Sequence, residues 1–482
     1  MTSEPIDLVE KAIEKGEKLG AEYIEARLVD LKSNTSILKS GVPELGAIFR
    51  SKGIGIRVLK DGGVGFASFN EMTKDEMNIA VTFATKMAEA SGNRRTTKIN
   101  FSTEEIHKAT YQAKGQTGKR PLELSPEEKI NRLINLDKIV AEVETGAIIP
   151  FRFFQMLDQT EKKLILTNEG ARIESEIDLL QLFGLLVAVN PTTGSKEQLM
   201  IQKGKAGGFE SLDFWKIEEY LEKEAKTLGK IVTEAKEAPK GKIDYVVGPN
   251  VIGIMCHENQ GHPSEADRIL GREGAQAGES YLKQDMIGDR IGSDKVTIID
   301  DPTLVGSYGF YLYDDEGVRA KPRYLLKEGI FQDMLHNRES AAFMQTNSTA
   351  SARAIGYNRE PIPRMANTYL VPGDFELDEI IEDVKLGVLM HNFTEWNIDD
   401  RRYHSKYVGL EAYLIENGEV KNMVRRPVVE TTTPKLWGSV DAVAKKSLLE
   451  FDAATCGKGD PMQGAPVYHG GSFMRIRNVE VR

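Results

Sequence analysis

The sequence predicts an α+β protein, with N-terminal α/β regions built on mixed sheets and a β-rich C-terminal domain carrying one helix dense in histidine and glutamate. Three observations predict it. The long amphipathic helical patterns lie before residue 240. Beyond residue 243, short apolar runs broken by turn residues dominate. Helices and strands are grouped and do not alternate strictly, which disfavours a βαβ arrangement.

At 482 residues the chain exceeds one ordinary domain. Its turn-rich boundaries divide it into an N-terminal α+β domain (1–95), a middle α+β region (96–240) and the C-terminal β-rich domain (241–482). No run approaches the roughly 18 apolar residues of a membrane span. The opening segment Met1–Glu10 is acidic and polar, unlike a secretory leader, so the cytoplasm is the expected compartment. A net charge of −10 argues against nucleic acid as the principal ligand. Arg401-Arg402 and Arg425-Arg426 are basic pairs open to anion contacts, but as isolated pairs they are expected on a solvated surface. With only two cysteines, Cys256 and Cys456, a disulfide framework is excluded. Each is left as a thiolate metal ligand or a core thiol.

In chain order, Ile6, Val9 and Ile13 recur at helical spacing and predict a helix over 4–20. Residues 22–31 alternate as a half-buried strand. Two runs, 53–59 and 64–69, flank Lys60-Asp61-Gly62-Gly63, a hairpin signal because glycine reaches positive φ at no steric cost. A helix follows over 73–92, and the polar stretch 93–124 reads as a linker. Ser125 with Pro126 and Glu127-Glu128 marks the start of a helix running to 143. Strands are predicted over 151–157, 163–167, 171–178 and 179–189, then a helix over 213–234. The second half begins with a strand over 243–248 and a helix bearing the histidines. Short strands follow at 295–299, 307–313, 324–327, 330–336, 411–415 and 473–482, with helices at 374–387 and 436–450.

The chemistry is concentrated in Cys256-His257-Glu258-Asn259-Gln260-Gly261-His262-Pro263-Ser264-Glu265, which holds two of the chain's seven histidines. A His-Glu pair followed by a second His on one helix is the pattern of zinc hydrolases, in which the Glu serves as general base. The usual four-residue spacing sets the two rings about 40° apart on a helix; the five here gives about 140°. Convergence therefore requires an extra residue taken up in a π-type bulge or a helix end, which Gly261 and Pro263 make workable. The bland alternative is a polar helix start with no chemistry. A zinc nucleobase deaminase is excluded, since His-x-Glu with a later Pro-Cys-x-x-Cys is absent.

This string resembles the His-Glu-x-x-x-His motif of the TldD/PmbA family of metallopeptidases, on its active TldD side. The resemblance extends over essentially the whole chain. Ile54-Gly55-Ile56-Arg57-Val58 and Asp61-Gly62-Gly63-Val64-Gly65-Phe66 are similar to the family's first domain. Asp314-Asp315-Glu316-Gly317, Pro363-Arg364-Met365-Ala366-Asn367 and Glu411-Ala412-Tyr413-Leu414 are similar to its third, and Thr455-Cys456-Gly457-Lys458 to its late Cys-Gly-Lys. The resemblance implies Zn2+ ligands His257, His262 and Cys456, with Glu258 as catalytic base. It implies a peptidase that hydrolyses small or unfolded peptides by metal-activated water, in a dimer that encloses the site. That dimer is commonly a heterodimer with an inactive paralogue. A non-catalytic regulatory or peptide-binding subunit is the competing reading; retention of all four residues speaks against it. Cys256 is expected as a core thiol, Glu265 or Asp267 as orienting an imidazole, and His404 and His469 near the cleft. Residues 393–399 are bulky and charged where bacterial members are glycine-rich, a departure that bears on substrate selectivity. Exposed β edges would suit peptides bound by strand addition.

Overall fold

The computed structural model describes residues 4–44, 46–274 and 278–481. The first half is one long-stranded sheet covered by helices. Helix α1 (Pro5–Lys18) buries Leu8, Val9 and Ala12 against β1 (Tyr23–Lys39). After the short β2 (Val42–Pro43), strands β3 (Ala47–Lys60) and β4 (Gly63–Phe69) form the expected hairpin, with Asp61 and Gly62 both at positive φ. Helix α2 (Lys74–Arg94), capped by Thr73, covers the same face. Helix α3 (Pro126–Glu142) starts in a full capping box between Ser125 and Glu128.

Two features depart from the expected strands. The stretch 93–124, read as a linker, contains β5 (Lys108–Ala113), which pairs parallel with β7 (Arg172–Val189) at a sheet edge. Its polar alternation carries little signal because one face meets solvent. The breaks expected near 158–162 and 178 do not occur, and β6 (Ile148–Thr167) and β7 run unbroken. Their polar residues are tolerated because they are paired: Lys129 meets Asp158 at 2.7 Å, and Thr160 donates to Asp178 at 2.6 Å. Strand β8 (Lys196–Ala206) completes the sheet, and helices α4 (Glu210–Phe214) and α5 (Ile217–Glu234) follow. The sheet order is β4-β3-β1-β6-β7-β5, with β2 on β1 and β8 on β7. Because β1 bonds β3 on one side and β6 on the other, residues before and after position 95 share one sheet.

The second half holds a seven-stranded and a six-stranded sheet. Strand Gly241–Val247 lies inside the first, between Met474–Val481 and Leu386–Met390. The second places Asn367–Leu370 beside Gln463–Gly471 and ends on Glu450–Lys458. A separate three-stranded sheet joins Phe393–Ile398, His404–Gly409 and Val428–Thr432. The helix expected over 436–450 is confined to Thr433–Gly438, and strand Val440–Val443 follows. The segment Ser307–Tyr313 is a loop: Gly309 N–H donates to the Asn367 side chain, not to a neighbouring strand. Helix α6 (Pro249–Cys256) leaves the central strand and crosses Gln463–Gly471 so closely that a Cβ on Gly253 would lie 2.7 Å from the His469 ring.

Candidate metal centre and active site

Helix α6 is apolar on all sides and buried, which fixes its end in place. From His257 to Gly261 the backbone widens into a π turn, and His262–Ser264 tightens into a 3₁₀ turn. The wider turn absorbs the extra residue, and the two imidazoles converge with centroids 4.8 Å apart, nearly perpendicular. Gly261 is required there: a Cβ would fall 2.0 Å from Met365 Sδ. The third member arrives from the edge strand Glu450–Lys458, where Cys456 Sγ lies 3.4 Å from His262 Nε2. One donor atom from each of His257, His262 and Cys456 lies within 4.8 Å of the others, and all three side chains are buried. His257 Nδ1 is buried with no hydrogen-bond partner among the described residues. A buried pair of imidazoles and a thiol, with an unmet nitrogen, is a donor set that fits zinc.

Electrostatics favour the ligating forms. Burial opposes ionisation of Cys456, but the His262 imidazole beside it, helped by Arg364, brings its thiol down to about 7. Burial likewise opposes charge on Glu258, yet His262, His257 and Arg402 together hold its carboxyl below the usual range. Burial lowers the His257 pKa, favouring the neutral ring that a metal requires.

Around this cluster lies a buried charge network. His262 Nδ1 is 3.0 Å from Glu265, which also accepts from Arg268 at 2.7 Å and meets Lys458 Nζ at 3.2 Å. Lys458 also contacts Asp267 at 2.7 Å and donates to the Pro363 carbonyl. Of the two carboxylates considered for orienting an imidazole, Glu265 touches His262, whereas Asp267 touches Lys458. Cys256 is buried in the core around α6, and burial pushes its thiol far up. His469 is buried with its ring centroid 5.4 Å from that of His257, and neither of its nitrogens has a hydrogen-bond partner among the described residues. His404 is exposed at the start of its strand.

Two contributors escaped sequence reasoning. Lys458 is legible only as part of the Cys-Gly-Lys string. Arg402, expected on a solvated surface, has a side chain only 12% exposed and donates to Glu258 at 2.7 Å. Arg425 and Arg426 are also paired, both with the buried Glu197. A cavity of about 290 Å³ lies between the halves, lined by Tyr111 and Lys163 from one and Phe310, Asp315 and Thr455 from the other. Thr455 reaches this cavity while its neighbour Cys456 meets His262, so cavity and cluster occupy opposite faces of one strand.

Comparison with known proteins follows the same lines. Residues 240–482 match the PmbA/TldA metallopeptidase C-terminal domain and residues 24–88 match PmbA/TldA metallopeptidase domain 1. A metalloprotease of Methanocaldococcus jannaschii is 33% identical over 481 residues, covering 98% of each chain. A zinc metalloprotease TldD homolog of Saccharolobus solfataricus is 25% identical over 486 residues, covering 98% of this chain and 99% of its own. The crystal structure of TldE from Thermococcus kodakarensis shares the fold, with a TM-score of 0.74 at 17% identity, over 98% of this chain and 99% of that one. No helix among the described residues is long and apolar enough to cross a membrane. Two matching domains, with a relative alike from end to end, establish that the chain belongs to the TldD/PmbA family of metallopeptidases.

Proposed function

We propose that this chain is a zinc-dependent peptidase acting on small or unfolded peptides, with His257, His262 and Cys456 as ligands and Glu258 as general base. The observation that carries it is the convergence of those three buried donors beside an adjacent carboxylate. His257, His262 and Cys456 would hold the zinc, which would supply a Lewis acid able to lower the pKa of water toward about 7. Glu258 accepts the proton as the water oxygen bonds to the peptide carbonyl carbon. It returns that proton to the amine as the C–N bond breaks. Glu265 fixes the orientation and tautomer of His262. The same reading includes a dimer, with an inactive paralogue of the family as its partner.

The deciding experiment measures bound zinc and peptide hydrolysis for wild type and Glu258→Gln, with and without such a partner. Expected is retained zinc with hydrolysis reduced by at least about 10²-fold in Glu258→Gln. Unchanged hydrolysis in that variant would overturn the mechanism.

A further inference from the structure

Arg402 is an unusual neighbour for a general base. It sits at the tip of the hairpin between Phe393–Ile398 and His404–Gly409, at a φ of 61°. A left-handed arginine is strained, and this one is held from two sides. Its N–H donates to the Asp399 carbonyl at 3.0 Å. Its own carbonyl accepts from Thr433 Oγ1 at 2.8 Å, and that hydroxyl also accepts from Asn259 at 2.6 Å. Asn259 follows Glu258 directly, so one hydroxyl ties the hairpin tip to the turn that carries the base. The side chain is thereby aimed at Glu258, to which one guanidinium nitrogen donates at 2.7 Å.

The guanidinium is not fully used. Its Nε is buried with no acceptor among the described residues. A buried donor left unmet is costly, and a planar fork beside a reacting centre suits an oxygen that gains negative charge.

From this we infer that Arg402 is a further catalytic residue: it binds the carbonyl oxygen of the scissile peptide and stabilises the negative charge that develops there as water adds. This rests on the peptidase reading. In the resting protein Glu258 occupies one guanidinium nitrogen and holds the fork in position. When substrate enters, a guanidinium nitrogen that Glu258 does not engage donates to the carbonyl oxygen while the Glu258 contact persists.

The test compares zinc-loaded wild type, Arg402→Gln and Arg402→Lys on an unstructured peptide with blocked ends and on the same peptide with a free C-terminal carboxylate. Affinity for a phosphinic isostere of the blocked peptide is measured in parallel. Equal zinc content in all three proteins establishes an intact centre. Arg402→Gln is expected to lower kcat by about 10²–10³-fold with KM within a few-fold. It is expected to weaken isostere binding in proportion, and Arg402→Lys should fall between. Wild-type or higher kcat in Arg402→Gln would overturn the inference and make Arg402 a restraint on Glu258. A rise in KM confined to the free-carboxylate peptide would also overturn it, making Arg402 an anchor for a chain end. In both cases the peptidase reading survives. A zinc-loaded wild type that hydrolyses neither peptide would overturn that reading, and this inference with it.

Discussion

Two buried regions, one under α3 and one around His262, hold charge differently. Under helix α3, buried charges come as separate pairs: Lys129 with Asp158 at 2.7 Å, and Arg152 with Asp137 at 2.9 Å. Beside His257, His262 and Cys456 they form a connected set running from His262 through Glu265 to Arg268 and Lys458, and on to Asp267. A pair fixes one strand against one helix. A connected set fixes the direction of a ligand, because each member is held from more than one side. Buried Lys129 therefore serves packing beneath α3, and buried Lys458 serves the placement of the residues around His262.

The sharpest way to break this distinction is to remove the lysine from each. Lys458→Met leaves Glu265 and Asp267 without their shared cation, and is expected to cost about 3–5 kcal/mol and weaken zinc binding about 10–100-fold. Lys129→Met leaves one carboxylate and should cost about 3 kcal/mol with zinc affinity unchanged. Urea unfolding and competition with a chelator read both quantities. Equal zinc affinities in the two variants would erase the distinction.

Acid should also act unequally. His336, buried in the second half, has its pKa lowered to about 4 by burial, from an ordinary 6.5. The unfolded chain binds this proton more readily. The contribution is complete above pH about 6.5 and is lost as pH falls toward about 4, on the order of 3 kcal/mol. Hydrogen exchange at pH 4.5 should show the sheet through Asn367–Leu370 opening ahead of the N-terminal sheet. Uniform loss of protection would contradict this.

Smaller effects sharpen the description of the first half. Ser125→Ala removes the capping box of α3 and should cost about 1 kcal/mol by thermal unfolding. Lys226→Ala breaks an exposed pair with Glu222 on α5 and should cost no more than about 0.5 kcal/mol. A larger loss there would mean that surface pairs carry weight this fold does not otherwise give them.

What could be read from the sequence follows the same division. The hairpin at Asp61-Gly62 and the start of α3 at Ser125 were legible because backbone conformation and capping are local properties of a few residues. The π turn was legible as a requirement, since five-residue spacing leaves two rings diverging on a regular helix. Position 158 misled because a buried aspartate looks like a turn residue until Lys129, twenty-nine positions away, is placed beside it. Arg402 misled for the same reason, being 144 positions from Glu258. No local pattern announces a pairing between distant elements.

The π turn also sets how the motif can change. Deleting Gln260 would restore the familiar four-residue interval between the histidines. It would also turn every following residue by about 100° and draw it back by about 1.5 Å along the helix axis. His262 would then leave Cys456, and Glu265 would leave Lys458. Such a deletion is expected to lose zinc on dialysis although the shortened string reads like a conventional zinc helix. The interval thus works only together with the strand residues that it faces, and removing one residue does not convert one spacing into the other.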